Sequence, residues 1–126
     1  MKKQYNFSKR SLKNLIGVHP KLVKLMEEAI KNSPYDFIIT EGLRTLERQK
    51  ELVRQGKSKT MKSYHLVGKA VDIALIVDGD ISWDFALYRE VAKHIKKIAK
   101  EQGINITWGG DWKNFKDGLH FQIEED

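Results

Sequence analysis

Residues 70–77 read AVDIALIV, with Val71, Ile73 and Leu75 alternating with Ala70, Asp72 and Ala74. A period of two is the signature of a β-strand, because successive side chains point to opposite faces of a sheet. This is the most constraining stretch of the chain. It predicts a strand whose apolar face carries Val71, Ile73 and Leu75, and it turns the Asp72 carboxylate the other way, where it is available for another use. Asp78-Gly79 follows as a hairpin-type turn.

Around this strand the other elements can be read from periodicity and punctuation. From Pro20 onward, Leu22, Leu25, Met26, Ala29 and Ile30 recur at helical spacing, Pro20 suits a first turn, and Asn32-Ser33-Pro34 stops the pattern. Asp36 to Thr40 reads as a short strand. A Gly42 turn leads into a second helix from about Thr45 to Gln55, ended by Gly56. Gly56 to Tyr64 is polar, basic and aperiodic, which predicts a surface loop. Tyr88, Val91, Ala92, Ile95, Ile98 and Ala99 trace one face of a long helix that begins near Asp84 and is closed by Gly103. Ile104, Ile106 and Trp108 alternate with Asn105 and Thr107 in a further strand. In a last strand Phe121 and Ile123 oppose His120 and Gln122, so His120, like Asp72, faces away from its strand's apolar residues. Helices and strands mix without βαβ alternation, which predicts an α+β fold, a small antiparallel sheet flanked by helices.

The chain has 126 residues, about one domain, and no repeat or Pro/Gly-rich linker divides it, so residues 1–126 are expected to form one unit without a separate targeting domain. Lys and Arg exceed Asp and Glu by six, an excess that favours polyanionic surroundings without choosing among nucleic acid, anionic lipid and a bacterial wall. Lys93, Lys96, Lys97 and Lys100 sit on an amphipathic helix, where a solvated face accounts for them. No run of residues is long and apolar enough to span a bilayer, and Met1 to Arg10 has positive charge with no apolar segment behind it. Synthesis in the cytoplasm without a signal peptide is therefore expected. With no cysteine, thiolate metal sites and disulfides are excluded, and a transition metal would have to be held by histidine and carboxylate.

Two segments combine such residues. Ser63-Tyr64-His65-Leu66-Val67-Gly68-Lys69-Ala70-Val71-Asp72 places a histidine at a loop end and an aspartate in the strand that follows, and Asp117-Gly118-Leu119-His120 places a carboxylate three residues before a histidine. Two imidazoles and one carboxylate make a three-ligand set suited to zinc with a position left open, and Asp117 is then available as a base. Taken singly, each has an ordinary structural use: most lone histidines are hydrogen-bonded structural groups, and a strand aspartate can cap a loop. The residues alone permit a metal site without requiring one. His19, before Pro20, and His94, off the apolar stripe of its helix, are expected to be non-catalytic.

The pattern S-x-H-x-x-G-x-A-x-D followed by D-x-x-H resembles that of the zinc D-alanyl-D-alanine and L-alanyl-D-glutamate peptidases that share the fold of the hedgehog signalling domain. Ser33-Pro34-Tyr35-Asp36-Phe37, Glu41-Gly42-Leu43-Arg44-Thr45 and Gly109-Gly110-Asp111-Trp112 are most similar to phage endolysins of the L-alanyl-D-glutamate type. The likeness runs over nearly the whole chain. It implies His65, Asp72 and His120 as zinc ligands and Asp117 as catalytic acid/base, where many relatives have glutamate. It matches Arg44 to an arginine that polarises the scissile carbonyl, with a salt bridge to Glu41 or Glu47 as the alternative use. Ser63 matches a residue near substrate and could equally cap its loop. Trp112 is a candidate wall of the substrate groove or a lid-packing residue, while Trp108, in an alternating strand, is expected in the core.

The implied activity is cleavage of the L-alanyl-D-glutamate bond of peptidoglycan by a monomeric phage or prophage endolysin, released to the wall through a holin. The ligand motifs are shared with D-alanyl-D-alanine dipeptidases and carboxypeptidases and do not themselves choose the bond. The short chain and whole-length likeness favour the endopeptidase. A non-catalytic zinc-binding module is a further alternative, against which stands a complete ligand set accompanied by Asp117. No nucleic-acid motif is recognisable, and nucleic acid is not an expected partner.

Overall fold

The strand expected at 70–77 is the centre of the structure. The computed structural model describes residues 4–124; the ends of the expected 1–126 unit, with Lys2 and Lys3 of the basic N-terminal stretch, lie outside the described residues. The elements run α1 (Lys9–Asn14), α2 (Pro20–Lys31), β1 (Asp36–Glu41), α3 (Leu46–Arg54), β2 (Ala70–Val77), β3 (Asp80–Ser82), α4 (Phe85–Gln102), β4 (Ile106–Trp108) and β5 (His120–Ile123). Single 3-10 turns at Tyr64–Val67 and Gly109–Asp111 precede β2 and follow β4. The sheet has the order β1-β2-β5-β4 with β3 also paired to β2, and every pairing is antiparallel. This is the expected α+β architecture.

Helix ends follow the local chemistry. Thr45 and Asp84 accept hydrogen bonds from Arg48 N and Ala86 N at the starts of α3 and α4. His19 caps α2 through its own ring, Nδ1 accepting from Lys21 N at 3.1 Å. Gly103, at φ 70°, closes α4 with Ile104 N donating to Ala99 O at 2.8 Å, the hydrogen bond of a Schellman motif. That bond explains why β4 starts at Ile106 although the alternation begins at Ile104: Ile104 is used to end the helix. Asp78 and Gly79 take φ 52° and 84°, as a two-residue type I′ hairpin requires.

One face of the sheet is covered by α2 and α4. Leu22, Leu25, Met26, Val91, Ile95 and Ala99 pack there with Phe37, Ile39, Val71, Ile73, Leu75, Phe121 and Ile123. Trp108 is buried with them, as expected. His94 Nε2 meets Ala29 O at 2.8 Å and so ties α4 to α2. Both histidines assigned no chemistry thus have structural partners.

Helix α1 has no strong apolar stripe, and sequence periodicity does not reveal it. Polar contacts hold it: the buried Ser11 Oγ accepts from Ile39 N at 3.1 Å, and Asn14 Nδ2 donates to Ile39 O at 2.8 Å.

The other face of the sheet is where the polar strand residues line up. Glu41 stands opposite Asp72 in the β1–β2 ladder, and Asp72 stands opposite His120 in the β2–β5 ladder. Directly paired residues share a face, so the registers alone place Glu41, Asp72 and His120 in a row across three strands.

The buried Tyr88 joins α4 to this frame. Its hydroxyl donates to Ser82 O at 2.8 Å and accepts from Leu75 N at 3.1 Å. Replacing it by phenylalanine leaves a buried N–H unpaired, at a cost of about 1–3 kcal/mol. Tyr88→Phe is therefore expected to lower the thermal midpoint by about 3–15 °C, as read by circular dichroism; an unchanged midpoint would mean the hydroxyl is dispensable.

Candidate metal centre

Asp72 is flanked by both histidines of the proposed set. Its Oδ1 lies 3.2 Å from His65 Nε2 and 3.2 Å from His120 Nδ1. One ligand atom from each of the three residues falls within 4.8 Å of the others. His65 and His120 are 2% and 7% exposed, so the cluster sits in the wall of the protein with access from one side.

Three local devices aim these groups. Ser63 Oγ accepts from His65 N at 3.2 Å and starts the 3-10 turn that carries the histidine; the cap use foreseen for Ser63 is the one observed. His65 Nδ1 donates to Gly42 O at 2.8 Å, which turns Nε2 towards Asp72. Gly42 is required there because a β-carbon would stand 2.1 Å from Asn14 O. On the far side, His120 Nε2 meets Gln122 Oε1 at 2.8 Å, and Gln122 Nε2 is committed to Glu124 Oε1 at 2.6 Å, which fixes the amide's orientation. Glu124 also accepts from Tyr64 OH at 2.9 Å.

The donor set fits a metal cation. Each imidazole faces an acceptor at both nitrogens, and a neutral ring can satisfy only one of them with its N–H. The other nitrogen of each ring converges with Asp72 on a point that demands positive charge, supplied by a proton or by a metal. Burial alone would raise the Asp72 carboxyl, but hydrogen bonds from His120 and His65 hold it far below the usual carboxylate range. Burial opposes protonation of His120, yet the hydrogen bond and charge of Asp72 outweigh it and raise the imidazole above its ordinary 6.5.

Asp117 borders the same cleft. Burial, then the charge of Asp72, raises its carboxyl above the ordinary value. Its backbone is fixed by Asp117 N donating to Gly109 O at 3.0 Å and His120 N donating to Asp117 O at 3.2 Å. A β-carbon at Gly109 would come within 2.3 Å of Asp117 O, so the glycine permits this approach.

Arg44 is drawn into the structure more deeply than its motif suggests. It forms two hydrogen bonds to Glu41, Nε to Oε1 at 2.7 Å and Nη2 to Oε2 at 2.9 Å, while Nη1 reaches Gln49 Oε1 at 2.8 Å. Ser63 Oγ lies 3.5 Å from Nη1, and Nη2 stands 3.8 Å from Asp72 Oδ2. The salt bridge with Glu41 is formed, and it leaves the guanidinium beside the candidate ligand. Trp112 borders the cleft with its ring 5.2 Å from that of His120. Gly42, Gln49, Gln122 and Glu41 were not singled out as site residues. Gln122 had a readable signal, being two residues after His120 on the same face of its strand; Gln49 had none.

Residues 3–124 match the family model described as phage L-alanyl-D-glutamate peptidase. The chain is 36% identical over 124 residues to the L-alanyl-D-glutamate peptidase of Escherichia phage T5, covering 95% of this chain and 90% of that protein. The crystal structure of the Serratia marcescens L-Ala D-Glu endopeptidase ChiX is similar with a TM-score of 0.89 and 44% identity, over 96% of this chain and 91% of that one. A vancomycin-resistance D,D-pentapeptidase, VanY, solved in complex with Zn(II), shares the fold at a TM-score of 0.51 and 21% identity, over 82% of this chain and 68% of that one. By the family match over residues 3–124 and the phage T5 relative that it covers almost end to end, this chain belongs to the phage L-alanyl-D-glutamate peptidase family.

Proposed function

We propose that this chain is a zinc-dependent endopeptidase that hydrolyses the L-alanyl-D-glutamate bond of peptidoglycan stem peptides. The observation that carries the reading is the convergence of His65 Nε2, His120 Nδ1 and Asp72 Oδ1, each ring held from behind by an acceptor. The choice of bond rests on the relatives that cover almost the whole chain. The likeness to the D,D-pentapeptidase supports the fold and not the bond. The choice of zinc rests on the His-Asp-His donor set.

In this reading residues 1–126 act as one monomeric peptidase unit on peptidoglycan, without a nucleic-acid partner, reaching the wall through a holin. No helix among the described residues is long and apolar enough to cross a membrane.

When bound, zinc would supply Lewis acidity to water and to the scissile carbonyl. The chain's own residues do the rest. Asp117, its carboxyl raised above the ordinary value by burial and by the charge of Asp72, accepts a proton from the attacking water and returns it to the departing D-glutamate amine, a role that typically contributes about 10²- to 10⁴-fold. Arg44, immobilised by Glu41 and Gln49, provides fixed positive charge towards the developing oxyanion. Trp112 and Ser63 border the bound peptide.

Asp117→Asn is expected to retain zinc in metal analysis and lose about 10²- to 10⁴-fold in turnover, whereas His120→Ala loses both. Mass analysis of digested peptidoglycan should find new N-terminal D-glutamate; release of free D-alanine instead would sink the bond assignment. Gln122→Leu, which frees the His120 ring, is expected to weaken zinc binding about 10- to 100-fold.

The pH dependence has a defined sign. His120 is raised above 6.5, so its proton stabilises the zinc-free fold fully below 6.5 and that stabilisation is lost as pH rises through the raised value. Zinc must displace the same proton. Its affinity is therefore expected to fall about tenfold per pH unit below the raised value, a trend that chelator competition between pH 8 and 6 would detect and a flat profile would refute.

A further inference from the structure

The cleft over His65, Asp72 and His120 has a volume of about 690 Å³, room for a short peptide. One wall is the connection from α3 to the 3-10 turn, which brings Lys57, Lys59 and Lys62 to the cleft; Trp112 and Phe115 also line it. Lys59 Nζ lies 5.8 Å from the centre of the Phe115 ring, so the two segments meet across the opening.

These lysines differ from the solvated ones on α4 in two ways. The first is that their segment is fastened. Leu52 O accepts from Lys57 N at 2.9 Å and from Ser58 N at 3.2 Å. The fully buried Gln49 donates from Nε2 to Ser58 Oγ at 2.9 Å and to Thr60 O at 2.5 Å, while its Oε1 holds Arg44. One buried amide thus ties the lysine segment to the guanidinium beside Asp72. The second is that their unspent charge faces the cleft over the three candidate donors, whereas Lys93 and Lys97, equally without a carboxylate partner among the described residues, lie on α4 outside it. Among the described residues no carboxylate pairs with Lys57, Lys59 or Lys62, whereas Arg44 is doubly bonded to Glu41. Phe115 adds a further sign of a built wall: it holds φ 55° while 77% exposed, a backbone conformation unfavourable for a residue with a β-carbon.

A D-glutamate joined through its amine to L-alanine has two carboxyl groups. One continues the stem peptide, and the other is left as a carboxylate on the residue whose nitrogen forms the scissile bond, unless it is amidated. On the reading of this chain as an L-alanyl-D-glutamate endopeptidase, we propose that Lys57, Lys59 and Lys62 bind this free carboxylate and make the enzyme selective for acidic over amidated stem peptides. Gln49 is the positioning residue that presents them. The Glu41, Asp72 and Asp117 carboxylates lie in the same cleft, and the lysines offset their repulsion of a substrate anion.

The test compares two synthetic muramoyl peptides that differ only in whether the spare glutamate carboxyl is free or amidated. The wild-type zinc enzyme is expected to favour the free acid about tenfold in kcat/KM, chiefly through KM. The exposed triple variant K57Q/K59Q/K62Q should lose that preference, its kcat/KM for the free acid falling to that for the amide, with an unchanged thermal midpoint. K93Q/K97Q/K100Q on α4, with the same loss of charge, should keep it. Equal wild-type cleavage of both peptides overturns the inference and leaves the proposed activity standing. A preference surviving in the triple variant, or lost equally in the α4 control, overturns it too. Failure to cut either peptide overturns the proposed activity and this assignment with it.

Discussion

The pairing of Asp72 with His120 across the β2–β5 ladder is the constraint on which the site depends. Because the residues are in register, their side chains emerge side by side on the face that α2 and α4 leave open. The opposite face of the same strands holds Val71, Ile73, Phe121 and Ile123 in the core. A one-residue slip would exchange the two faces, burying a carboxylate and an imidazole among aliphatic side chains and expelling the core residues. The hydrophobic effect therefore sets the register, and the register sets the ligand geometry. His65 is added from a 3-10 turn whose orientation is controlled by Ser63 and the Gly42 carbonyl.

Much of this was legible beforehand because alternation is a strong local signal. Asp72 and His120 could be read as facing away from the core from the apolar residues on either side of each, and the structure has them so. The long helices were legible from apolar spacing and from Pro20, Asp84 and Gly103 at their ends. What sequence patterning missed depends on partners far along the chain. Helix α1 docks through Ser11 and Asn14 onto β1, contacts with no periodicity to reveal them. Gln49 looks like one more polar residue on a helix, yet it is fully buried because Arg44, Ser58 and Thr60 satisfy its amide. The residue types alone could not distinguish a candidate ligand from a structural histidine; the family resemblance singled out His65 and His120, while His19 and His94 have structural partners.

Charge around the centre is arranged in layers. Glu41 takes two of the five N–H donors of Arg44 and Gln49 a third, so the guanidinium stays beside Asp72, 3.8 Å away, while its short hydrogen bonds go elsewhere. This leaves the Asp72 carboxylate to the two imidazoles. A buried arginine paired in this way is rigid, and its position is inherited by whatever lies in the cleft in front of it.

The place of β5 in the sheet has a consequence for timing. It lies between β2 and β4, two strands that precede it in the chain, and it carries His120 at its first position. Until β5 inserts, β4 has no neighbour in the sheet and only His65 and Asp72 of the triad have been brought together. The strand that joins β4 to the sheet is thus also the one that brings His120 to His65 and Asp72. Closure of the sheet and assembly of the three candidate donors are a single event.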